Sequence, residues 1–162
     1  MITQELVKKL FDYNPETGDF IWKISRKGSL GIGKKAGTKT HKGYVDVCIS
    51  GKKYGLHRIA FLYMNGEIPL CVDHINGDKS DNRWNNLRPA NYSQNGYNYK
   101  GRGTISGFKN VYIDKRYPEN FFVQLIINGK QERIGTYKTA EEANLVAIEM
   151  RKKTQGEFAN HL

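Results

Sequence analysis

Two cysteines in 162 residues, Cys48 and Cys71, are too few for a disulfide framework. Neither stands in the clustered Cys or His pairs that a structural zinc ion requires. Each sits in an apolar stretch, as a buried free thiol of a reducing cytoplasm does. No hydrophobic run approaches membrane-spanning length. The N-terminal MITQELVKKLFDY mixes two acids, Glu5 and Asp12, and the amide Gln4 among its apolar residues, which argues against a signal peptide. Acid is scarce: 16 Asp+Glu face 26 Lys+Arg, a formal charge of +10. These deficits rule out a secreted scaffold and a membrane protein, and predict a cytoplasmic one.

A basic surplus of this size attracts polyanions over long range, and nucleic acid is the commonest such partner. Between Lys23 and Lys53 the bases are Lys23, Arg26, Lys27, Lys34, Lys35, Lys39, Lys42, Lys52 and Lys53, with Asp46 the lone acid. Gly28, Gly31, Gly33, Gly37 and Gly43 are interspersed, which lets backbone lie close to a phosphate track. Lys34, Lys35 and Lys39 are candidate phosphate contacts, and Arg58 is another.

The periodicity predicts a mixed α+β chain. Thr3 to Tyr13 reads as a short helix capped by Thr3, and Asp19 to Ile24 as a strand. Gly43 to Ile49 alternates like a strand whose partner begins at Tyr54, and Leu56 to Met64 reads as a buried helix ended by Asn65-Gly66. A short strand, a long polar loop, a second strand and a short helix follow over 70–99. Lys100-Gly101-Arg102-Gly103-Thr104 has a linker composition. Beyond it lie three strand-like runs, 110–117, 121–128 and 131–137, the last two joined by Asn128-Gly129. A helix runs from Thr139 to about Thr154, with Thr139 and Glu142 forming a capping box. This predicts modules at 1–100 and 106–162 with a linker at 101–105.

The chemistry concentrates in Asp73-His74-Ile75-Asn76-Gly77-Asp78, Asn85-Asn86-Leu87-Arg88 and Ser93-Gln94-Asn95. Hydrolysing a phosphodiester needs a base for water and a cation beside the phosphate. Adjacent on a strand, Asp73 and His74 project to opposite sides, so the carboxylate could take a metal while the imidazole faces water. Asn95 could return an amide oxygen from the following helix, and both ligands are expected near the surface. One carboxylate and one amide oxygen underfill the shell of Mg²⁺, leaving room for water and phosphate. Taken singly, Asp-His beside Asn-Gly-Asp reads as an Asx-rich turn, and INGDKSDN as a calcium loop lacking its closing glutamate. His57, in an apolar helix beside Arg58, reads as a core residue that supports the fold.

With DH, NNLR and SQN together, residues 70–99 resemble the HNH endonucleases of ββα-metal fold, in the subgroup found in phage and homing enzymes; Leu56-His57-Arg58-Ile59-Ala60 resembles that subgroup too. The resemblance implies His74 as general base, Asn86 as the brace of its loop, and Asp73 with Asn95 as ligands of one divalent ion, Mg²⁺ or Mn²⁺. Asn95 stands where the third letter of the motif is normally histidine. It also implies double-stranded DNA as substrate, 5′-phosphate and 3′-hydroxyl ends, a monomer, and a bacterial or phage-infected cell.

Residues 106–162 resemble the plant ethylene-response-factor DNA-binding domain (Apetala type). The likeness rests on Ser106-Gly107-Phe108-Lys109-Asn110-Val111, Asn128-Gly129-Lys130, Ile134-Gly135-Thr136-Tyr137, Thr139-Ala140-Glu141-Glu142-Ala143 and Gly156-Glu157-Phe158-Ala159. It implies a three-stranded antiparallel sheet laid in the major groove with the helix behind. Alternation turns Val111, Ile113, Val123, Leu125 and Ile134 towards the helix. Tyr112, Asp114, Arg116, Gln124, Gln131 and Arg133 then face outward, and all but Asp114 are candidate DNA contacts. Two rival readings stay open: a non-catalytic DNA-binding regulator, and a structure-specific or RNA-directed nuclease.

Overall fold

A computed structural model describes residues 2–25, 31–98 and 105–160. Arg26 and Lys27 of the basic stretch, and residues 101–104 of the expected linker, lie outside the described residues. The chain forms two compact units, Met1–Asn95 and Gly96–Leu162, and both mix helices with strands. No described helix is long and apolar enough to cross a membrane.

The first unit opens on α1 (Gln4–Leu10), where the Thr3 hydroxyl accepts from the Leu6 N–H. The helix is shorter than the sequence predicts. Phe11 to Asn14 form strand β1 instead, paired antiparallel with β2 (Asp19–Trp22). The tertiary reason is visible in the burial alternation of FDYN: Phe11 and Tyr13 point inward, Asp12 and Asn14 outward. A helix could not give that period of two. Phe11, Tyr13, Phe20 and Trp22 then form one aromatic cluster, joined by Tyr63. Strands β3 (Thr38–Lys39), β4 (Val45–Ile49) and β5 (Lys52–Gly55) make an antiparallel sheet. Helix α2 (Leu56–Asn65) follows directly and stops at Gly66 in the left-handed conformation, φ 82°. Its Leu56, Ile59, Ala60, Phe61 and Leu62 fill the core.

Strands β6 (Cys71–His74) and β7 (Leu87–Ala90) pair with Asp73 opposite Arg88 and His74 opposite Leu87. Helix α3 (Tyr92–Tyr97) follows and crosses the boundary between the units.

In the second unit β8 (Val111–Ile113), β9 (Phe121–Ile127) and β10 (Lys130–Tyr137) form an antiparallel sheet in the order β10-β9-β8. Val111, Val123 and Leu125 pack on Ala143 and Ala147 of α4 (Ala140–Gln155), which Thr139 caps by accepting from the Glu142 N–H. Strand β8 is shorter than the predicted 110–117, because beyond Ile113 the chain turns: the Asp114 N–H donates to the Asn120 carbonyl and the Arg116 N–H to the Asp114 carboxylate. A bulge between Arg133 and Gly135 shifts the β9–β10 register. Two cations, the buried Arg151 and the half-buried Lys109, tie this unit together. Arg151 donates to the Lys109 carbonyl, and the Lys109 ammonium donates to the carbonyls of Tyr97 and Asn160.

The β1–β2 turn clasps the long polar loop between β6 and β7. The Tyr13 hydroxyl donates to the Asn82 carbonyl, the Trp84 N–H donates to the Pro15 carbonyl, and a Cβ on Gly18 would lie 2.5 Å from backbone atoms of Asn82 and Arg83. Gly18 also holds φ 77°, which an L side chain adopts only under strain. Gly18→Ala is therefore expected to cost about 3 kcal/mol, from overpacking plus backbone strain; a loss under 1 kcal/mol in urea denaturation would contradict this clasp.

Candidate functional site

The strand β6 delivers its last two residues, Asp73 and His74, into covered surroundings on both faces. Both are buried, and so are Asn82 and Asn86 from the loop that follows. This corrects the expectation that Asp73 lies near the surface. Only 3% of the residue is exposed. Its Oδ2 is held by Arg88 across the strand pair, with Nε at 2.8 Å and a terminal guanidinium nitrogen at 2.7 Å. Arg88 is itself mostly covered, its side chain 11% exposed. Strand pairing sets the two opposite each other, and ionisable groups at this depth are paired as a rule.

Asn86 closes the loop from its far end. Its side-chain oxygen accepts from the Asn76 N–H at 3.0 Å, its amide group donates to the Asp81 carbonyl at 2.8 Å, and its own carbonyl accepts from the Ile75 N–H at 2.9 Å. One residue thus fixes the chain on both sides of the turn that follows His74. Within the loop, Arg83 and then Asn76 donate to the Asp81 carboxylate, and these bonds hold it below the usual range.

Asn82 orients the imidazole. Its side-chain oxygen lies 3.4 Å from His74 Nε2, a long hydrogen bond, while its Nδ2 donates to the Ser80 carbonyl. With Nε2–H as donor, Nδ1 of the neutral ring is the proton acceptor. Burial pushes the His74 pKa down, against the opposing pull of Asn82 and the carboxylates of Asp73, Asp78 and Asp81. The neutral, basic form is therefore favoured.

His57, expected as a core residue that supports the fold, packs beside His74. It sits at the start of α2, its ring centroid 5.2 Å from that of His74 and 5.0 Å from that of Tyr44. Tyr44 in turn lies 5.9 Å from His74 and carries the Lys79 ammonium 5.0 Å from its ring centroid. Burial, then His74 and Arg58, push the His57 pKa down to about 3. Its Nδ1 is buried with no hydrogen-bond partner among the described residues. A Cβ on Gly55 would meet the His57 ring at 2.4 Å, so glycine is what admits the ring there. In sequence, His57 and Asn82 carry no more signal than a helix histidine and an Asx-loop residue.

Asn95 is exposed on α3, and its side chain makes no hydrogen bond among the described residues. Among those residues no three His, Cys, Asp or Glu side chains converge as metal ligands. The donors on offer, the Asp73 carboxylate and the Asn95 amide oxygen, are hard oxygens, whose chemistry fits Mg²⁺ or Mn²⁺ with water and phosphate completing the shell. Arg58 donates to the Leu70 carbonyl, and Lys35 pairs with Asp19 at 2.6 Å. In the second unit Tyr112 stacks on Phe122, whose ring lies 4.3 Å from the Arg133 guanidinium. Arg133 also pairs with Asp114 and donates to Thr136. Gln131 is exposed on β10, Arg116 is exposed in the turn after β8, and Gln124 is half-buried.

Comparison with known proteins gives two findings. Residues 54–97 match the sequence model of a family described as HNH endonuclease. A protein of Acanthamoeba polyphaga mimivirus, named as an uncharacterized HNH endonuclease, is 34% identical over 110 residues, covering 66% of this chain and 56% of the relative. The chain thus spans just over half of that relative's length. No solved structure matches the chain.

The burial of Asp73 sets an outcome that a surface ligand would not have. Asp73→Ala strands a covered guanidinium and is expected to cost about 3–5 kcal/mol. Asn86→Ala leaves the Asn76 N–H and the Asp81 carbonyl short of partners, at about 1–3 kcal/mol. Denaturant titration in EDTA measures both without any contribution from metal. An Asp73→Ala protein as stable as wild type would contradict the buried ion pair.

Proposed function

We propose that this chain is a metal-dependent DNA endonuclease of the HNH type, hydrolysing a phosphodiester bond to 5′-phosphate and 3′-hydroxyl ends. The observation that supports the reading best is the conjunction at His74. A buried, neutral imidazole is oriented by Asn82, in a loop closed by Asn86, within the span 54–97 that matches the family.

In this reading His74 takes the proton of the attacking water on Nδ1, while Asn82 holds its opposite nitrogen. The low pKa suits that role, since the ring enters the reaction unprotonated. Asn86 keeps the β6 end and the loop in one geometry, which a positioned base requires. Asp73, fixed by Arg88, and Asn95 would hold one divalent ion, Mg²⁺ or Mn²⁺. When bound, that ion supplies charge neutralisation at the scissile phosphate and the leaving oxygen.

The substrate is double-stranded DNA, met by a monomer. Lys34, Lys35, Lys39 and Arg58 contact phosphates, without sequence preference and with a steep salt dependence. The second unit is the reading module, of the ethylene-response-factor kind. Tyr112, Arg116, Gln124, Gln131 and Arg133 offer the mixed donors and acceptors that base edges and phosphates take up. The parent context is a phage or mobile-element nuclease of the homing type.

Cleavage of supercoiled plasmid in Mg²⁺ tests the reading. Wild type is expected to nick or linearise the plasmid and to stop in EDTA. His74→Ala should lose at least a hundredfold in rate while binding the same DNA, because the base is not a binding group. Undiminished cleavage by His74→Ala, or cleavage that survives EDTA, would overturn the mechanism.

A further inference from the structure

Along β3, β4 and β5 the first unit carries a cleft of about 740 Å³. Its lining includes Lys39, His41, Lys42 and Lys53, against a single acid, Asp46. None of these three lysines forms an ion pair among the described residues, in contrast with Lys35, which Asp19 holds at 2.6 Å. The inner wall is Tyr44 and His57, the two rings that pack against His74. At the rim the turn at Gly43 meets the loop after β6, where a Cβ on Gly43 would be 3.9 Å from the Lys79 side chain. The cleft therefore runs from an exposed sheet face to the edge of the His74 site, and its three lysines stand outside any ion pair among the described residues, although Lys39 is near enough to Asp78 to help hold that carboxyl below its usual range.

We infer that this cleft holds one strand of the DNA substrate by its sugar-phosphate backbone, with Lys39, Lys42 and Lys53 as the phosphate contacts. The inference rests on the endonuclease reading and adds the path by which a strand reaches His74. Two features favour a strand over a small anionic ligand. The three lysines are spread over β3, the turn that follows it and β5, and are not gathered around one group as in a small-molecule site. Cations of one sign in a concave surface also focus their field along it, which suits a polymer of regularly spaced charge. A space of this volume is that of a ligand pocket, so it admits part of one strand and leaves the rest of a duplex outside. Lys42 and Lys53 thereby join Lys39 as contacts, although in sequence they are indistinguishable from the other bases of the stretch.

The test compares two triple variants of the full chain in EDTA, by fluorescence anisotropy on a labelled duplex at several NaCl concentrations. Lys39→Gln/Lys42→Gln/Lys53→Gln removes the cleft cations. Lys8→Gln/Lys9→Gln/Lys152→Gln removes the same charge elsewhere, and thermal melts confirm that both fold. Three lost phosphate contacts flatten the slope of log Kd against log salt by about 2.7. The cleft variant is expected to show that change and the control to keep the wild-type slope. Equal slopes in the two variants, whether both lowered or both unchanged, would overturn the cleft as the strand site while leaving the endonuclease reading intact. A wild type that binds with a cleft-dependent slope yet never cleaves in Mg²⁺ would overturn the endonuclease reading and leave the cleft standing. A wild type that binds no duplex overturns both.

Discussion

The site depends on one side chain closing a loop. The twelve positions from Ile75 to Asn86 contain little that could bury itself, since the stretch is Asn, Asp, Gly, Lys, Ser and Arg around Ile75 and Trp84. Such a segment stays ordered only if its polar groups satisfy one another. Asn86 closes the loop, because it bonds the backbone at Ile75, Asn76 and Asp81 at once. Once the loop is closed, Asn82 arrives beside His74. The Tyr13 hydroxyl on its carbonyl, together with the β1–β2 turn at Pro15 and Gly18, holds it there. The first hairpin of the chain, remote in sequence, is in this sense part of the site.

A second constraint is the burial of charge. Asp73 and Arg88 are drawn together by strand register and are then both covered, so neither can be removed without stranding the other. His57 and His74, by contrast, are two neighbouring imidazoles, and after burial it is His74 that disfavours a proton on His57. The low pKa of each follows mainly from desolvation. A buried His57 nitrogen without a partner is a cost to stability, and the fold carries it beside the residue that most needs its ring fixed.

Much of this was legible in the sequence. The α2 stop at Gly66, the Thr3 and Thr139 caps and the inward set Val111, Val123 and Leu125 follow from local chemistry and period. The α1 boundary did not, because Phe11 to Asn14 take their conformation from pairing with β2 rather than from their own preference. Asp73 shows the limit of alternation arguments. A strand covered on both faces has no surface side, and nothing in Cys71-Val72-Asp73-His74 alone says that Arg88 will be opposite. That His57 and Asn82 lie beside His74 was not legible, for a related reason. Each acts through proximity to His74 across a gap of seventeen or eight positions, and neither gap has a period that marks it.

The central claim, hydrolysis of a DNA backbone by a base-activated water, is tested most directly by the ends it leaves. Plasmid nicked by the wild-type chain in Mg²⁺ is incubated with a DNA ligase, with no prior phosphatase or kinase treatment. The account predicts complete resealing, since 5′-phosphate and 3′-hydroxyl ends are the ligase substrate. Nicks that reseal only after enzymatic repair of the ends would contradict it.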